Sequence, residues 1–195
     1  MKSLGLSQKL SGVTVLLIVV ILVIVGVVGA RDINRVTTSA LELNLRSQAA
    51  LVEEVIGELQ QEALQVSTVL AELEQVKEAY RNPDVESGRR ELAAAIDGIA
   101  DALAEASGIE DYRIHFHRPP ATSFYRTWTE RAGDDLSGFR STIIEVERTQ
   151  EPLETVELGR GGFVIRGIAP IVDEETYLGS VEVYFQPTRL VPFLD

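Results

Sequence analysis

A long apolar run near the N-terminus dominates the hydrophobic pattern of this chain. The twenty-one residues between Lys9 and Arg31 carry no charge. A helix of that length rises roughly 30 Å, which matches the hydrocarbon core of a bilayer. The run therefore predicts a transmembrane helix over residues 10–30, preceded by a cytoplasmic tail over residues 1–9. A cleaved signal peptide is the competing interpretation, because Val28-Gly29-Ala30 offers the small residues that a signal peptidase accepts.

Both interpretations place residues 32–195 on the periplasmic or extracellular side of the cytoplasmic membrane. Lys2 and Lys9 precede the apolar run, and a positive N-terminal flank favours the orientation with the N-terminus inside. We expect a single-pass protein with one exported domain.

Apolar residues with alternating spacings of four and three follow the membrane segment. Of the twelve positions in this register between Leu41 and Tyr80, ten are Leu, Val or Tyr, and only Gln48 and Glu62 break it. A sustained period of 3.5 residues is typical of a helix that meets a partner along its length. We predict a stalk helix over residues 31–81 and a homodimer through residues 41–80. The alternative is that the same helix packs within one subunit.

The pattern changes from helical to strand-like in the second half of the chain. Asn82-Pro83-Asp84 ends the stalk, and a second helix is predicted for Val85–Ala106, with Gly108 as its stop. Alternation or β-branched content then predicts five strands: Tyr112–His117, Thr142–Arg148, Leu153–Leu158, Gly162–Ile171 and Tyr177–Phe185.

The predicted fold class is α+β, with a PAS-like antiparallel sheet built as a meander after two helices. Gly159-Arg160-Gly161-Gly162 is predicted to be the tight turn of a hairpin, and Asp173-Glu174-Glu175 the turn before the last strand. A globular domain is predicted for residues 85–186, and residues 187–195 are expected to begin a C-terminal linker or helix.

Charge and composition exclude several functions. Residues 32–195 contain all 30 acidic residues but only 15 of the 18 Lys and Arg. Such an acidic surface repels nucleic acid, so no nucleic-acid partner is expected. The chain has no Cys, which removes disulfides, thiolate metal sites and a cysteine nucleophile.

Four motifs in the strand-rich half resemble a known family. They are Tyr-Arg-Ile-His-Phe-His-Arg-Pro-Pro (112–120), Ser-Phe-Tyr-Arg-Thr-Trp (123–128), Gly-Asp-Asp-Leu-Ser-Gly-Phe-Arg (133–140) and Gly-Arg-Gly-Gly (159–162) with Arg-Gly-Ile-Ala-Pro (166–170). In this order they resemble Cache-type extracellular sensor domains, most closely the double-Cache-like modules of bacterial methyl-accepting chemotaxis proteins and sensor kinases.

The resemblance implies a periplasmic module that binds a small solute between the sheet and its overlying loops. It also implies that binding shifts helices that run to the membrane. Such receptors ordinarily return through a second transmembrane helix, which this sequence does not contain. We therefore expect either a receptor fragment or signalling through a partner.

Arginines are the main candidate ligand-binding residues. Every cationic residue between Arg113 and Arg166 is Arg rather than Lys, and a guanidinium binds a carboxylate with two parallel hydrogen bonds. We expect a small carboxylate or similar anion as the ligand. Arg126, Arg140 and Arg166 are the preferred candidates because each lies in a family-like motif, and Phe124 and Trp128 are expected to wall the pocket. The alternative is that these arginines pair with acidic neighbours.

His115 and His117, the only histidines, share one face of a predicted strand. Two imidazoles at this spacing can reach one metal ion, and Asp134, Asp135 or Glu182 could complete the shell. Because the spacing alone is weak evidence, we assign His115, His117, Asp135 and Glu182 to ligand binding. We expect no cofactor, metal or catalytic residue. Two other functions stay open, a metal-dependent periplasmic enzyme and a structural envelope protein.

Overall fold

The computed structural model describes residues 6–109, 112–159 and 162–186. The chain divides into two compact units, residues 1–51 and 52–195. The first unit contains the N-terminal part of helix α1 (Leu6–Glu72), and large apolar side chains from Leu17 to Val28 are exposed on it. Among the described residues, no helix is both long enough and apolar enough to cross a membrane. The membrane anchor over residues 10–30 therefore stays a prediction.

Four helical segments form one layer of the second unit. After α1 come α2 (Glu74–Arg81), α3 (Val85–Ala95) and α4 (Ile99–Ser107). The stop at residues 82–84 lies where the sequence predicts it, because Asn82 is extended ahead of Pro83. Gly108 closes α4 in the left-handed conformation, with φ of 69°.

The prediction of a single helix over Val85–Ala106 is wrong. The helix breaks after Ala95, and Gly98 adopts φ of 71° before α4 begins. Glycine populates this left-handed region at little cost, so the chain can turn between two short helices. A continuous apolar stripe does not reveal such a break.

Five strands form a single antiparallel sheet. They are β1 (Arg113–Arg118), β2 (Thr122–Arg126), β3 (Leu153–Gly159), β4 (Gly162–Asp173) and β5 (Thr176–Phe185). Their spatial order is β2-β1-β5-β4-β3, so the first and last strands pair at the centre of the sheet. Only β3, β4 and β5 follow a meander, which corrects the predicted topology. Gly159 pairs with Gly162 as the predicted hairpin requires, whereas residues 160 and 161 lie outside the described residues.

The predicted strand at Thr142–Arg148 is instead helix α5 (Ser141–Thr149). Ile143 and Val146 are its buried residues, and their three-residue spacing suits a helix that packs on a sheet. Its β-branched residues favour a strand locally, but tertiary packing overrides that weak preference. Strand β2 is missing from the sequence prediction because it follows Pro119-Pro120 directly, through a tight turn over residues 119–121 in which Ala121 adopts φ of 43°.

Alternation along the central strands gives the sheet two different faces. Ile114 and Phe116 of β1 and Val181 and Val183 of β5 are buried in the main hydrophobic core. They lie in that core with residues of the helical layer, which include Leu59, Ala63, Leu70, Val76, Tyr80 and Leu92. The intervening residues of the same strands project to the opposite face, which α5 contacts.

Part of the predicted dimer seam serves this intramolecular core. Leu59, Val76 and Tyr80 belong to the seam and are buried against their own subunit. Leu41 and Leu45, earlier in the same register, are exposed. The alternative of packing within one subunit therefore applies to Leu59, Val76 and Tyr80, whereas Val69 of the same register is exposed. Dimerisation through residues 41–80 stays a prediction.

Candidate functional site

The sheet face opposite the helical layer carries a buried group of charged and polar side chains. We define the polar cluster as His115, His117, Arg140, Arg166 and Glu182, all of which are buried. The pairing of β1 with β5 places His115 opposite Glu182, with His117 two residues further along the same face. The cluster members on strands therefore follow from strand alternation and register, whereas Arg140 comes from the start of α5.

Glu182 lies at the centre of the polar cluster and is completely buried. Its Oε1 accepts a hydrogen bond from Arg140 Nη2 at 2.6 Å and another from Arg166 Nη1. Burial alone would raise the pKa of the carboxyl group, but attraction to Arg140 and Arg166 outweighs burial and lowers it to about 2. Glu182 is therefore ionised at neutral pH.

The two arginines reach Glu182 from different elements. Arg140 caps the start of α5, whereas Arg166 projects from β4 and stacks over the Tyr184 ring at 4.7 Å. A second carboxylate, Glu157 of β3, lies 2.9 Å from Arg166 Nε. Arg140 Nε is buried and has no hydrogen-bond partner among the residues that the structure describes.

Serine side chains fix the orientation of both histidines. His115 Nε2 lies 2.9 Å from Ser123 Oγ, and His117 Nδ1 lies 3.0 Å from Ser180 Oγ. The remaining ring nitrogens face Glu182 Oε2, at 3.8 Å from His115 Nδ1 and 3.6 Å from His117 Nε2. Within the described part of the chain, His117 Nε2 and Glu182 Oε2 make no hydrogen bond.

Both histidines are neutral at physiological pH. Burial lowers the pKa of His115 well below its ordinary value, and the neighbouring His117 and arginines lower it further. Burial also lowers the pKa of His117, to about 3, although Glu182 opposes that change. Neutral imidazoles offer lone pairs, so the polar cluster can accept hydrogen bonds or coordinate a cation.

Arg126 lies next to the polar cluster but is engaged in an ion pair. Its guanidinium donates to both carboxylate oxygens of Asp134, at 2.8 and 2.9 Å, and to the Arg131 carbonyl oxygen at 2.7 Å. These bonds fasten the loop between β2 and α5 onto the sheet. Arg126 is therefore paired with an acidic neighbour, which is the alternative interpretation given in the sequence analysis.

The other predicted site residues occupy three different environments. Trp128 lies at the edge of the polar cluster, where its ring meets His115 edge to face at 5.6 Å. Phe124 is in the main hydrophobic core instead, in contact with Tyr80 at a centroid distance of 4.8 Å. Asp135 is exposed and accepts a hydrogen bond from the Ser137 backbone, so it does not join the polar cluster.

Sequence reasoning overlooked Ser123, Ser180 and Glu157. The two serines stand on strands opposite His117, a relation that becomes visible only once the pairing of β1 with β2 and β5 is known. Because β2 was absent from the predicted elements, Ser123 could not be placed opposite a histidine.

Comparison with known families finds a match over most of the chain. Residues 39–188 match a family described as "Double sensory domain of two-component sensor kinase". A comparison with curated protein sequences finds no match.

Solved structures share the fold at low sequence identity. The sensor domain of DcuS from E. coli superimposes with a TM-score of 0.53 at 17% identity, covering 72% of this chain and 98% of that chain. The sensor domain of the V. cholerae histidine kinase DctB gives 0.58 at 11% identity, covering 80% of this chain and 58% of that one. The sensory domain of the Campylobacter jejuni chemoreceptor Tlp3 with isoleucine bound gives 0.53 at 14%, covering 80% and 65%.

This chain thus spans all but 2% of the DcuS domain but only 58% and 65% of the DctB and Tlp3 chains. Identities this low show a shared fold and no more. The isoleucine bound in the Tlp3 structure is a property of Tlp3 alone.

Proposed function

Because the chain belongs to the family of double sensory domains of two-component sensor kinases, we propose that it is an extracytoplasmic sensing domain for a small anionic solute. The resemblance to Cache-type sensor domains is confirmed by the family match and the shared fold. Family and structural neighbours are sensor domains and not enzymes, which favours a sensing role over catalysis.

The unpartnered Nε of Arg140 is the observation that carries the proposal. A buried guanidinium donor without an acceptor costs roughly 1–3 kcal/mol, and an anionic oxygen of a ligand would remove that cost. Arg140 lies at the start of α5, where the loop that Arg126 fastens to the sheet ends. A carboxylate entering beside Trp128 would meet a guanidinium, two imidazoles and an aromatic wall.

The proposed ligand-binding residues follow from this geometry. His115, His117, Trp128, Arg140, Arg166 and Glu182 line one face of the sheet and make up the proposed pocket. We exclude Phe124 because it belongs to the helical side of the sheet, and Asp135 because it is exposed away from the polar cluster.

Signalling is proposed to pass from the polar cluster to the helices through strand β1. Tyr80 of α2 donates its hydroxyl to the His117 carbonyl oxygen at 2.9 Å, so a strand that carries a site histidine is bonded directly to a helix. Neighbouring residues of β1 serve the two faces alternately, and a shift of the strand therefore acts on both. Binding would bias two packings of similar energy.

Membrane attachment is part of the proposal. Apolar side chains from Leu17 to Val28 are exposed on consecutive positions of α1 and so cover all sides of the helix. A helix that is apolar all round belongs in a membrane or a large core. We propose that residues 10–30 anchor the chain in the cytoplasmic membrane, with residues 32–195 on the outside and the exposed part of the seam forming a homodimer.

Ligand screening tests the proposed specificity. The purified full chain in mild detergent is titrated with organic acids, neutral solutes and amines, with binding followed by calorimetry and thermal shift. We expect saturable binding of an anion that Arg140→Ala abolishes. Arg148→Ala is the matched control, because Arg148 is an exposed arginine of α5 that pairs only with Glu145 among the described contacts. Binding of neutral or cationic solutes alone would contradict the proposal, as would equal affinity in both variants.

A further inference from the structure

Three potential ligand atoms converge in the middle of the polar cluster. They are His115 Nδ1, His117 Nε2 and Glu182 Oε2, and the three residues bring ligand atoms within 4.8 Å of one another. Glu182 Oε2 lies 3.8 Å from the first nitrogen and 3.6 Å from the second. These distances are too long for hydrogen bonds, but they leave space for an ion between the three atoms.

Electrostatics explains why that space suits a cation. Both imidazoles are turned by their serine partners so that a ring nitrogen faces the carboxylate oxygen. If each histidine donates its other ring N–H to serine, two lone pairs and a negative oxygen face one another without a donor between them. A metal ion at this point would satisfy all three atoms.

The two distances to the carboxylate oxygen are close to those of a tetrahedral site. Zinc bonds to His nitrogen and carboxylate oxygen are about 2.0–2.2 Å, which places pairs of tetrahedral ligand atoms about 3.4 Å apart. The two distances to Glu182 Oε2 exceed this value by a few tenths of an ångström, which small side-chain rotations can close. Octahedral sites bring neighbouring ligands closer together and fit less well.

The surrounding hydrogen bonds also have the form that metal ligands require. Histidines that bind a metal usually donate their second ring N–H to a fixed acceptor, and ligating carboxylates are themselves hydrogen-bonded. Ser123 and Ser180 hold the two imidazoles, while Arg140 and Arg166 hold the other oxygen of Glu182.

We propose that His115, His117 and Glu182 bind one Zn²⁺ ion, whose fourth position is open to the solute. The guanidinium groups of Arg140 and Arg166 repel the bound metal ion. An anion at the fourth position would offset this repulsion and complete the tetrahedron. Only this fourth ligand rests on the proposed function, since the three protein ligands are independent of it. By linkage, metal and anion strengthen each other's binding by the same factor.

Cobalt substitution tests the metal site without any solute. The full chain in mild detergent is freed of metal with EDTA, exchanged into Hepes and chloride, and titrated with Co²⁺. We expect intense visible absorption typical of tetrahedral Co²⁺ that saturates at one equivalent and is displaced by Zn²⁺. Weak octahedral absorption, or no saturation at one equivalent, would overturn the proposal.

Variants identify the ligands. His117→Ala and Glu182→Gln should each lower Zn²⁺ affinity by at least 100-fold, and Ser180→Ala by roughly tenfold through loss of the supporting hydrogen bond. Glu145→Gln is the matched control, because Glu145 pairs with exposed Arg148 and contacts none of the three proposed ligands among the described residues, and the Zn²⁺ affinity of this variant should stay within twofold. Unchanged affinity in His117→Ala would overturn the assignment.

X-ray absorption at the zinc edge tests the ligands in the unaltered chain, so the result does not depend on whether a variant folds. It should report two imidazole ligands and oxygen neighbours at about 2.0–2.2 Å. A first shell made of oxygen alone would overturn the site. Repeating the organic-acid titration with and without Zn²⁺ separates the two proposals: anion binding without any metal effect removes the coupling, whereas a tetrahedral site without anion binding contradicts the proposed function alone.

Discussion

Glu182 is the residue on which the electrostatics of the domain depend most. One fully buried carboxylate accepts hydrogen bonds from two guanidinium groups that come from different elements, α5 and β4. Replacing a buried charge pair as a whole can be harmless, but removing one member leaves the other charge uncompensated. Glu182 therefore contributes to the stability of the domain.

We expect Glu182→Gln to lower the free energy of unfolding by about 3 kcal/mol in the presence of EDTA, because Arg140 and Arg166 lose their shared counter-charge. Chemical denaturation followed by circular dichroism measures the change. Glu145→Gln is the control, since Glu145 forms an exposed pair with Arg148 and should leave stability unchanged. Equal stability of the two variants would show that Glu182 carries no such role.

Single residues also show what the sequence could and could not reveal about the site. Alternation along Tyr112–His117 placed both histidines on one face, and the resemblance pointed to Arg140 and Arg166. Phe124 was misassigned because β2 was not foreseen, so its face of the sheet could not be assigned. The partnership of the histidines with Ser123, Ser180 and Glu182 depends on strand register across distant segments, which one sequence does not encode locally.

At the scale of elements, helix α1 and strand β4 approach unusually closely. A Cβ atom on Gly167 would lie 2.2 Å from the backbone nitrogen of Leu64 and 2.3 Å from the carbonyl carbon of Ala63. Both neighbours are backbone atoms, so only a shift of the helix or the strand could accommodate a side chain. Gly167 thus sets the distance between helix and sheet.

Gly167→Ala should destabilise the domain by about 1–3 kcal/mol, the usual cost of overpacking. Gly57→Ala is the control within α1, because its Cβ would meet nothing within 4 Å. Alanine favours helix over glycine by about 1 kcal/mol, so this control should increase stability. Thermal unfolding of both variants gives the comparison, and a loss of stability in Gly57→Ala would contradict this explanation.

The loop between β2 and α5 provides a pH-dependent contribution. The hydrogen bonds from Arg126 hold the pKa of Asp134 below its usual range. A carboxyl group with a lowered folded-state pKa adds stability above its unfolded pKa of about 3.9, and that stability disappears as the pH falls through the folded value.

We therefore expect Asp134→Asn to lower the free energy of unfolding by about 1 kcal/mol near pH 7. The difference from the unaltered chain should shrink as the pH falls below about 3.9 and vanish below the lowered folded-state pKa. Urea unfolding at a series of pH values measures it. Glu130→Gln, an exposed carboxyl residue of the same loop, is the control and should not alter the pH profile. A constant difference across the acidic range would exclude the ion pair as the cause.

Elements differ in how far local patterns determine them. Strands β1, β3, β4 and β5 were predicted within two residues of their observed ends because their alternation or apolar content is strong. Helix α5 and strand β2 were not, since nine- and five-residue segments carry little periodicity and take their form from contact with the sheet.

At the scale of the whole molecule, the heptad seam contains both buried and exposed positions. Leu59, Val76 and Tyr80 are buried in the chain's own core, whereas Leu41, Leu45 and Val69 are exposed. A 3.5-residue period alone does not distinguish packing within one subunit from dimerisation, because both require an apolar stripe on one side of a helix.

The absence of cysteine allows a direct test of the dimer. Leu45→Cys in the full chain should form an intersubunit disulfide on mild oxidation, because position 45 lies in the seam. Leu43→Cys is the control, since Leu43 is also exposed but lies off the seam. Non-reducing electrophoresis reads out both. Cross-linking of equal yield at the two positions would contradict a dimer through this face.

Alternation along β1 and β5 has a consequence for how this domain can change over evolutionary time. Residues of the polar cluster and residues that contact the helices occupy different positions of the same strands, so one set can diverge by substitution while the other is retained. Insertion of one residue ahead of His115 would exchange the two faces of β1 and turn His115 and His117 into the main hydrophobic core. Lineages carrying this fold should therefore tolerate substitution in the central strands far more readily than any change in their length.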